Sequence, residues 1–355
     1  MQTIYKLVNT FPAQQLKGKY CLSPFVQVNI DLDGVGMCGC RSWQPSVIGN
    51  IFENSLEELL SGPTAQNIRK SIIDGTYTYC HPTRCGILRS GNLNSYESLP
   101  PEIKRSVEDQ DPTRFSMPHH IVIALDNTCN LFCPSCRHNI IKNDHDTQKK
   151  QQELAKRLTK NLFSTPTDQK IELTLDTSGE VFASPLLLDF LSNISTKDFP
   201  NLEIDLLSNG LLAQDRWHRL GDMQNHVTRI TISYDSPDPK TYEKLRRGGE
   251  WNNLVKNLTW LKDKKKENGM AFKVRMVVQK DNYKQMKQFY DFSQQFDVDE
   301  VQFQRMMNWG TFTPEQFLEV DIFDETSEHY NDALKCLKEV NYLKNAVFWH
   351  GIPKI

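Results

Sequence analysis

The sequence predicts an α/β chain in two parts: a small α+β domain of hairpin and helices, then a partial (β/α)6 barrel. Three observations carry this prediction. From residue 119 onward, short apolar β-type runs alternate with longer amphipathic segments. Clusters of polar, small or thiol residues recur directly after those runs. The first part of the chain lacks this alternation and has hairpin and helix patterns instead.

The N-terminal part opens on "CLSPFVQVNIDLDGVGMCGC" at 21–40, an alternating strand, an Asp-Gly turn and a second short strand. "NSLEELL" at 54–60 places an Asn or Ser cap before an amphipathic run, and "AQNIRKSII" at 65–73 continues as a second helix. Thiols stand at both ends of this element: Cys21, Cys38 and Cys40, then Cys80 and Cys85. Four thiols gathered by so small an element can close around zinc or around an iron–sulfur cube. The stretch 97–118 is charged and carries prolines, and it reads as a connection. The expected organisation is a cluster domain over 1–110, a linker over 111–118, the partial barrel over 119–315, and a C-terminal helix and tail over 316–355.

The barrel strands are "HIVIAL" (120–125), "KIELTL" (170–175), "LEIDLL" (202–207), "VTRITIS" (227–233), "FKVRMVV" (272–278) and "EVQFQ" (300–304). Helical patterns such as "QQELAKRLTKNLF" and "EWNNLVKNLTWLKDKK" separate them. Six such units predict a parallel sheet with right-handed crossovers, three-quarters of a (β/α)8 barrel. After the strands come, in order, "DNTCNLFCPSC", "DTSGE", "SNG", "SYD", "QKDN" and "QRMMNW". Each falls at a strand's C-terminal end, where parallel α/β folds build their sites. Asp235, Gln304 and Arg305 lie at those ends as polar candidates without an assigned acid–base role. Trp251 and Trp260 are read as core at helical spacing.

Composition narrows the function. The 355 residues are 38% hydrophobic and 24% charged, with a net charge of −2, so no basic field invites nucleic acid or an acidic membrane. The basic run "KDKKKENG" at 262–269 reads as a solvated helix end before a Gly stop. No run approaches the ~18 apolar residues of a membrane span, and the first residues lack a secretion signal's apolar core. A cytoplasmic location is expected, where nine cysteines serve better as metal ligands than as disulfides. Cys336, inside the helical pattern "YNDALKCLKEV", is read as a buried core residue.

The stretch "CNLFCPSC" at 129–136 places Cys129, Cys133 and Cys136 on one tight loop. Three thiolates can hold three corners of a [4Fe–4S] cube and leave one iron open. A structural zinc site completed by His138 or a distant residue is the alternative. The position after a first barrel strand favours the open site.

C-x3-C-x2-C at that position resembles the radical S-adenosylmethionine superfamily over roughly residues 118–310. The resemblance implies that Cys129, Cys133 and Cys136 hold a [4Fe–4S] cluster whose open iron chelates S-adenosylmethionine, which is cleaved to a 5′-deoxyadenosyl radical. "TSGE" is similar to the family's second-strand motif, implying Ser178, Gly179 and Glu180 at the methionine amino group. "LLSNG" implies Ser208 and Asn209 in the cofactor pocket, and "ISYDSPDPKTYEKLRRGG" implies Ser233 at the ribose and Arg246 at the carboxylate. The early cysteine pattern resembles the SPASM or twitch module, here preceding the barrel. This resemblance implies one auxiliary [4Fe–4S] cluster on Cys21, Cys38 or Cys40, Cys80 and Cys85. Two [4Fe–4S] clusters and S-adenosylmethionine are thus the expected cofactors. A peptide or protein substrate is expected, to be crosslinked, epimerised or oxidised, with a flavodoxin or ferredoxin as reducing partner. A sugar or nucleotide substrate, or a non-catalytic zinc or iron–sulfur binding protein, are the alternatives.

Overall fold

The computed structural model describes residues 16–38, 46–81, 85, 87–88, 91–141, 145–175, 179–349 and 351–353. Cys40 and Ser178 lie outside the described residues. The chain divides into two compact units: Met1–Leu125, Gln151–Asp176 and Asn193–Glu203 form the first, and Asp126–Lys150, Thr177–Ser192 and Ile204–Ile355 the second. The protein is α/β with a mostly parallel sheet.

The first unit carries β1 (Lys19–Tyr20), α1 (Ser23–Val26), β2 (Gln27–Asp31), β3 (Gly34–Gly36), α2 (Leu56–Ser61), α3 (Pro63–Ile73), β4 (Asn94–Ser95) and α4 (Pro101–Glu108). It continues through β5 (His120–Ala124), most of α5 (His145–Leu162) and β6 (Ile171–Leu175). The Asp-Gly hairpin forms between β2 and β3: Asp31 Oδ1 accepts from the Asp33 amide at 2.9 Å, and Gly34 adopts φ +140°. A Cβ at Gly34 would stand 2.7 Å from the Gly49 carbonyl, so this turn needs glycine. The hairpin does not stand alone, as β2 also pairs in parallel with β5, giving strand order β3-β2-β5-β6.

Ser55 caps α2 in a reciprocal pair with Glu58, the arrangement that the Asn-Ser signal predicts. Arg69 of α3 is fully buried. Its Nε donates to the Pro112 carbonyl at 2.8 Å, one Nη to the Leu60 carbonyl at 2.7 Å, and its guanidinium lies 4.6 Å from the Phe115 ring centre. Burial lowers its pKa to about 10, which leaves it charged. The connection near residue 112 is therefore tied to the first helices.

The second unit carries α6 (Pro185–Ser192), most of β7 (Leu202–Ser208), α7 (Ala213–Arg216), β8 (Val227–Ser233), α8 (Pro239–Leu245), α9 (Trp251–Asn268) and β9 (Ala271–Val278). It ends with α10 (Met286–Gln294), β10 (Glu300–Arg305), α11 (Pro314–Val320), α12 (Tyr330–Lys338) and β11 (Ala346–Trp349). β7 to β10 pair in parallel in chain order, as β-α alternation requires. β7 and β9 alternate buried and half-buried positions, while Ile230, Ile232, Val301 and Phe303 of β8 and β10 are fully buried. α9 stops where the Gly signal predicts, at Gly269 with φ +73°.

Three expectations change. The segment read as a tail supplies β11, parallel to β10, because "AVFW" is a short apolar run that can extend an open sheet edge. Cys336 is half-buried rather than core. Trp251 and Trp260 are also half-buried, with edge-on contacts to Tyr242 at 5.5 Å and Trp217 at 5.4 Å. Among the described residues no helix is long and apolar enough to cross a membrane.

Candidate functional site

The three-thiol loop is shaped by its own first residues. Asp126 is 5% exposed; its Oδ1 accepts from the Thr128 amide at 2.8 Å and the Thr128 hydroxyl at 2.7 Å. Its Oδ2 accepts from Ser184 Oγ at 2.6 Å, and Ser184 in turn accepts from the Leu187 amide at the start of α6. The loop then closes on itself. The Cys129 amide donates to the Ile141 carbonyl at 3.1 Å, and the Cys136 and Arg137 amides both donate to the Cys133 carbonyl. The Phe132 amide donates to the Arg247 carbonyl at 3.0 Å, joining the loop to the turn after α8.

Cys129 and Cys133 are each 7% exposed, whereas Cys136 is exposed. Burial pushes the Cys129 thiol up to about 11, and raises Cys133 despite the adjacent Arg246 cation. Such thiols lose their protons readily only when a metal takes the charge. The fit is therefore good for a metal–sulfur group and poor for free thiolates.

Glu180 follows the glycine that packs on this loop. Its amide donates to the Thr128 carbonyl at 2.8 Å. The side chain is 1% exposed: Oε1 accepts from Ser208 Oγ at 2.7 Å and the Phe182 amide at 3.1 Å, and Oε2 from the Asn209 amide at 2.6 Å. Burial raises this carboxyl's pKa, while these donors and the Arg246 charge oppose the rise. Ser208 also accepts from the Gly210 amide at 2.9 Å, so its hydroxyl braces Glu180 and the turn. Asn209 Nδ2 donates to Asn130 Oδ1 at 2.9 Å and lies 4.0 Å from Cys129 Sγ.

Ser233 is buried at the end of β8. Two residues later Asp235 takes φ +63°, held by the Val277 amide on its Oδ1 at 2.8 Å and by Asn282 Nδ2 on its carbonyl at 2.9 Å. Its Oδ2 stands 2.7 Å from Arg246 Nε, an ion pair whose side chains are 4% and 15% exposed. Burial alone would lower the Arg246 pKa; Asp235 and Cys133 outweigh it and keep the guanidinium protonated. Arg305 is engaged in a two-pronged pair with Asp321 at 2.9 and 2.7 Å, whereas Asp235 meets Arg246 through the single Oδ2–Nε contact. Asp235 and Arg305, two of the three strand-end candidates, are thus held in ion pairs.

In the first unit, Cys21 and Cys80 are each 8% exposed and share a core with Phe25, Ile72, Tyr77, Leu99 and Ile103. Cys38 and Cys85 are intermediate in exposure. Burial pushes the Cys38 thiol well above its ordinary value, and Cys21, Cys80 and Cys85 add to the shift. Burial likewise raises the Cys80 thiol, and Cys21 and Cys85 add to that rise. Among the described residues no three His, Cys, Asp or Glu side chains converge as for a single ion.

Sequence reasoning missed Arg137, which donates to Asn127 and to Cys136, and the Asp126–Ser184 brace. Its position directly after the third cysteine is the one signal that could have found Arg137.

Residues 124–293 match the family model of the radical SAM superfamily, and residues 21–86 match that of an iron–sulfur cluster-binding domain, SPASM. The chain carries a radical S-adenosylmethionine domain, with a SPASM domain ahead of it. The cofactors of these domains are S-adenosylmethionine and iron–sulfur clusters. Comparison with curated proteins gave no match. Among solved structures, SuiB of Streptococcus suis is similar at 15% identity and a TM-score of 0.43, over 74% of this chain and 57% of that one. SuiB bound to its precursor peptide SuiA is similar at 13% identity and a TM-score of 0.41, over 92% of this chain and 72% of that one. A radical SAM methyltransferase from Sphaerobacter thermophilus is similar at 13% identity and a TM-score of 0.38, over 62% and 63% of the two chains. The chain thus spans little more than half of the SuiB length in the first of these matches.

Proposed function

We propose that the chain is a radical S-adenosylmethionine enzyme that abstracts a hydrogen atom from a peptide or protein, leading to a crosslink, an epimerisation or an oxidation. The observation that carries this is the thiol loop Cys129–Cys133–Cys136, braced from beneath by Gly179 and Glu180 and flanked by Asn209 and Arg246. When bound, a [4Fe–4S] cluster with an open iron supplies one electron that splits S-adenosylmethionine into methionine and a 5′-deoxyadenosyl radical, and the radical takes the substrate hydrogen.

The chain's own residues would do the holding. Cys129, Cys133 and Cys136 would ligate the cluster. Glu180, kept in place by Ser208 and the Asn209 amide, would offer remaining lone pairs to the methionine amino group, with Ser178 and Gly179 beside it. Arg246, held protonated by Asp235, would face the carboxylate. Asn209 and Ser233 would bind the nucleoside side. Cys21, Cys80, Cys85 and Cys38 or Cys40 would hold the second cube; the mutual influence of the first three with Cys38 supports Cys38. The SPASM domain supports a peptide substrate. A flavodoxin- or ferredoxin-type donor would supply the electron.

Anaerobically reconstituted protein, reduced with S-adenosylmethionine present, should release 5′-deoxyadenosine and methionine. Failure to do so with a full iron complement would refute the reading. Mass spectrometry of candidate peptides after co-expression tests the substrate class.

A further inference from the structure

We infer that Arg137 is a positioning residue that pins the exposed thiolate of the cysteine loop and makes a cluster bound there easier to reduce. The inference rests on the reading that Cys129, Cys133 and Cys136 are cluster ligands. One Nη of Arg137 donates to the Asn127 carbonyl at 2.6 Å, and the other donates to Cys136 Sγ at 3.3 Å. The two acceptors stand at the beginning and the end of the same loop. A single planar fork thereby spans the segment that carries all three thiols.

The three sulfurs differ in surroundings. Cys129 and Cys133 are buried, and Cys129 Sγ accepts from the Leu131 amide at 3.4 Å. Cys136 belongs to an exposed residue, where water would otherwise supply the donors. Water reorients when charge changes, whereas a guanidinium tied to a backbone carbonyl does not. Reduction adds negative charge to the cluster and its sulfurs. A fixed cation and hydrogen bond at one ligand sulfur stabilise that added charge and raise the potential. Lysine could keep the charge, but its single ammonium cannot reproduce the planar fork that bridges both acceptors. The residue acts through the Cys136 sulfur and touches no substrate.

The test is an anaerobic redox titration of wild type, Arg137→Lys and Arg137→Gln, each with iron counted. The signal followed is the electron paramagnetic resonance of the cluster that responds to added S-adenosylmethionine. Arg137→Gln should keep its iron but show about a tenfold lower reduced-to-oxidised ratio at a fixed potential, ~59 mV for one electron. Arg137→Lys should fall between the two. Unchanged midpoints in both variants overturn the inference. Loss of iron from Arg137→Gln with a wild-type midpoint in Arg137→Lys overturns it too, leaving loop closure as the residue's role. Loss of iron from both variants likewise makes Arg137 a folding residue. Should wild type take up no cluster that responds to S-adenosylmethionine, the ligand reading itself fails.

Discussion

Gly179 packs directly on Thr128: a Cβ at Gly179 would stand 2.4 Å from the Thr128 carbonyl oxygen, and equally close to that of Asp126. The next residue's amide then donates to the same Thr128 carbonyl at 2.8 Å. The glycine of the "TSGE" motif is thus a spacer that lets Glu180 reach the base of the thiol loop. Backbone oxygens cannot move aside as a side-chain tip can. Gly179→Ala should therefore lower stability by about 2–3 kcal/mol or more and reduce iron uptake. Gly91→Ala, at a left-handed position in open space, should cost only about 1 kcal/mol and leave iron uptake unchanged. Chemical denaturation and iron analysis of the two variants check this.

The Asp235–Arg246 pair should behave as a coupled unit. Asp235→Asn retains the left-handed backbone and a possible bond from the Val277 amide but removes the charge. Each single change, Asp235→Asn or Arg246→Met, leaves a buried group unmatched, whereas the double variant leaves neither. A double-mutant cycle should give a coupling of about 2 kcal/mol. Additive effects would show that the two side chains do not depend on each other.

Arg305 and Asp321 make the corresponding test at the end of β10. Asp321 is 4% exposed and takes both prongs of the guanidinium. Asp321→Ala should cost about 2–3 kcal/mol in urea titration, since it strands a partly buried cation. Cleavage of S-adenosylmethionine by the surviving folded protein should be little changed, because the pair is structural.

Metal stoichiometry tests the two thiol sets separately. Wild type should hold about eight irons, as two cubes. Cys129→Ala, Cys133→Ala or Cys136→Ala should each bring this to about four and abolish S-adenosylmethionine cleavage. Cys80→Ala should remove the other four or so while the cleavage remains measurable. One or two zincs in a colourless protein would instead favour the non-catalytic alternative.

Acid should loosen α8. Asp238 caps this helix, accepting from the Thr241 amide at 2.8 Å and the Thr241 hydroxyl at 2.9 Å, and those bonds hold its carboxyl below the usual range. A depressed folded-state pKa means that the cap's contribution is complete above the unfolded-chain value near ~3.9 and is lost as pH falls through the folded value. Asp238→Asn, which still accepts the amide bond, should flatten that part of the acid-denaturation profile.

Much of the site was legible in local sequence. The C-x3-C-x2-C spacing, the strand ends that follow it and the glycine stop at Gly269 are all short-range patterns. Asp235 was legible only as a polar residue at a strand end. Its left-handed backbone and its partner Arg246 depend on Val277 and Asn282, far along the chain. The same holds for Arg305, whose partner lies in the segment after α11.

By itself the sequence determined the alternation of strands and helices, the thiol spacing and the motif residues Gly179, Glu180 and Asn209, because periodicity and chemical type are local properties. Tertiary structure alone decided that β2 pairs with β5, that β11 extends the sheet beside β10, and that Arg137 bridges the two ends of the cysteine loop. These depend on which unpaired backbone edges and charged groups meet after the chain closes, and no window of neighbouring residues records that meeting.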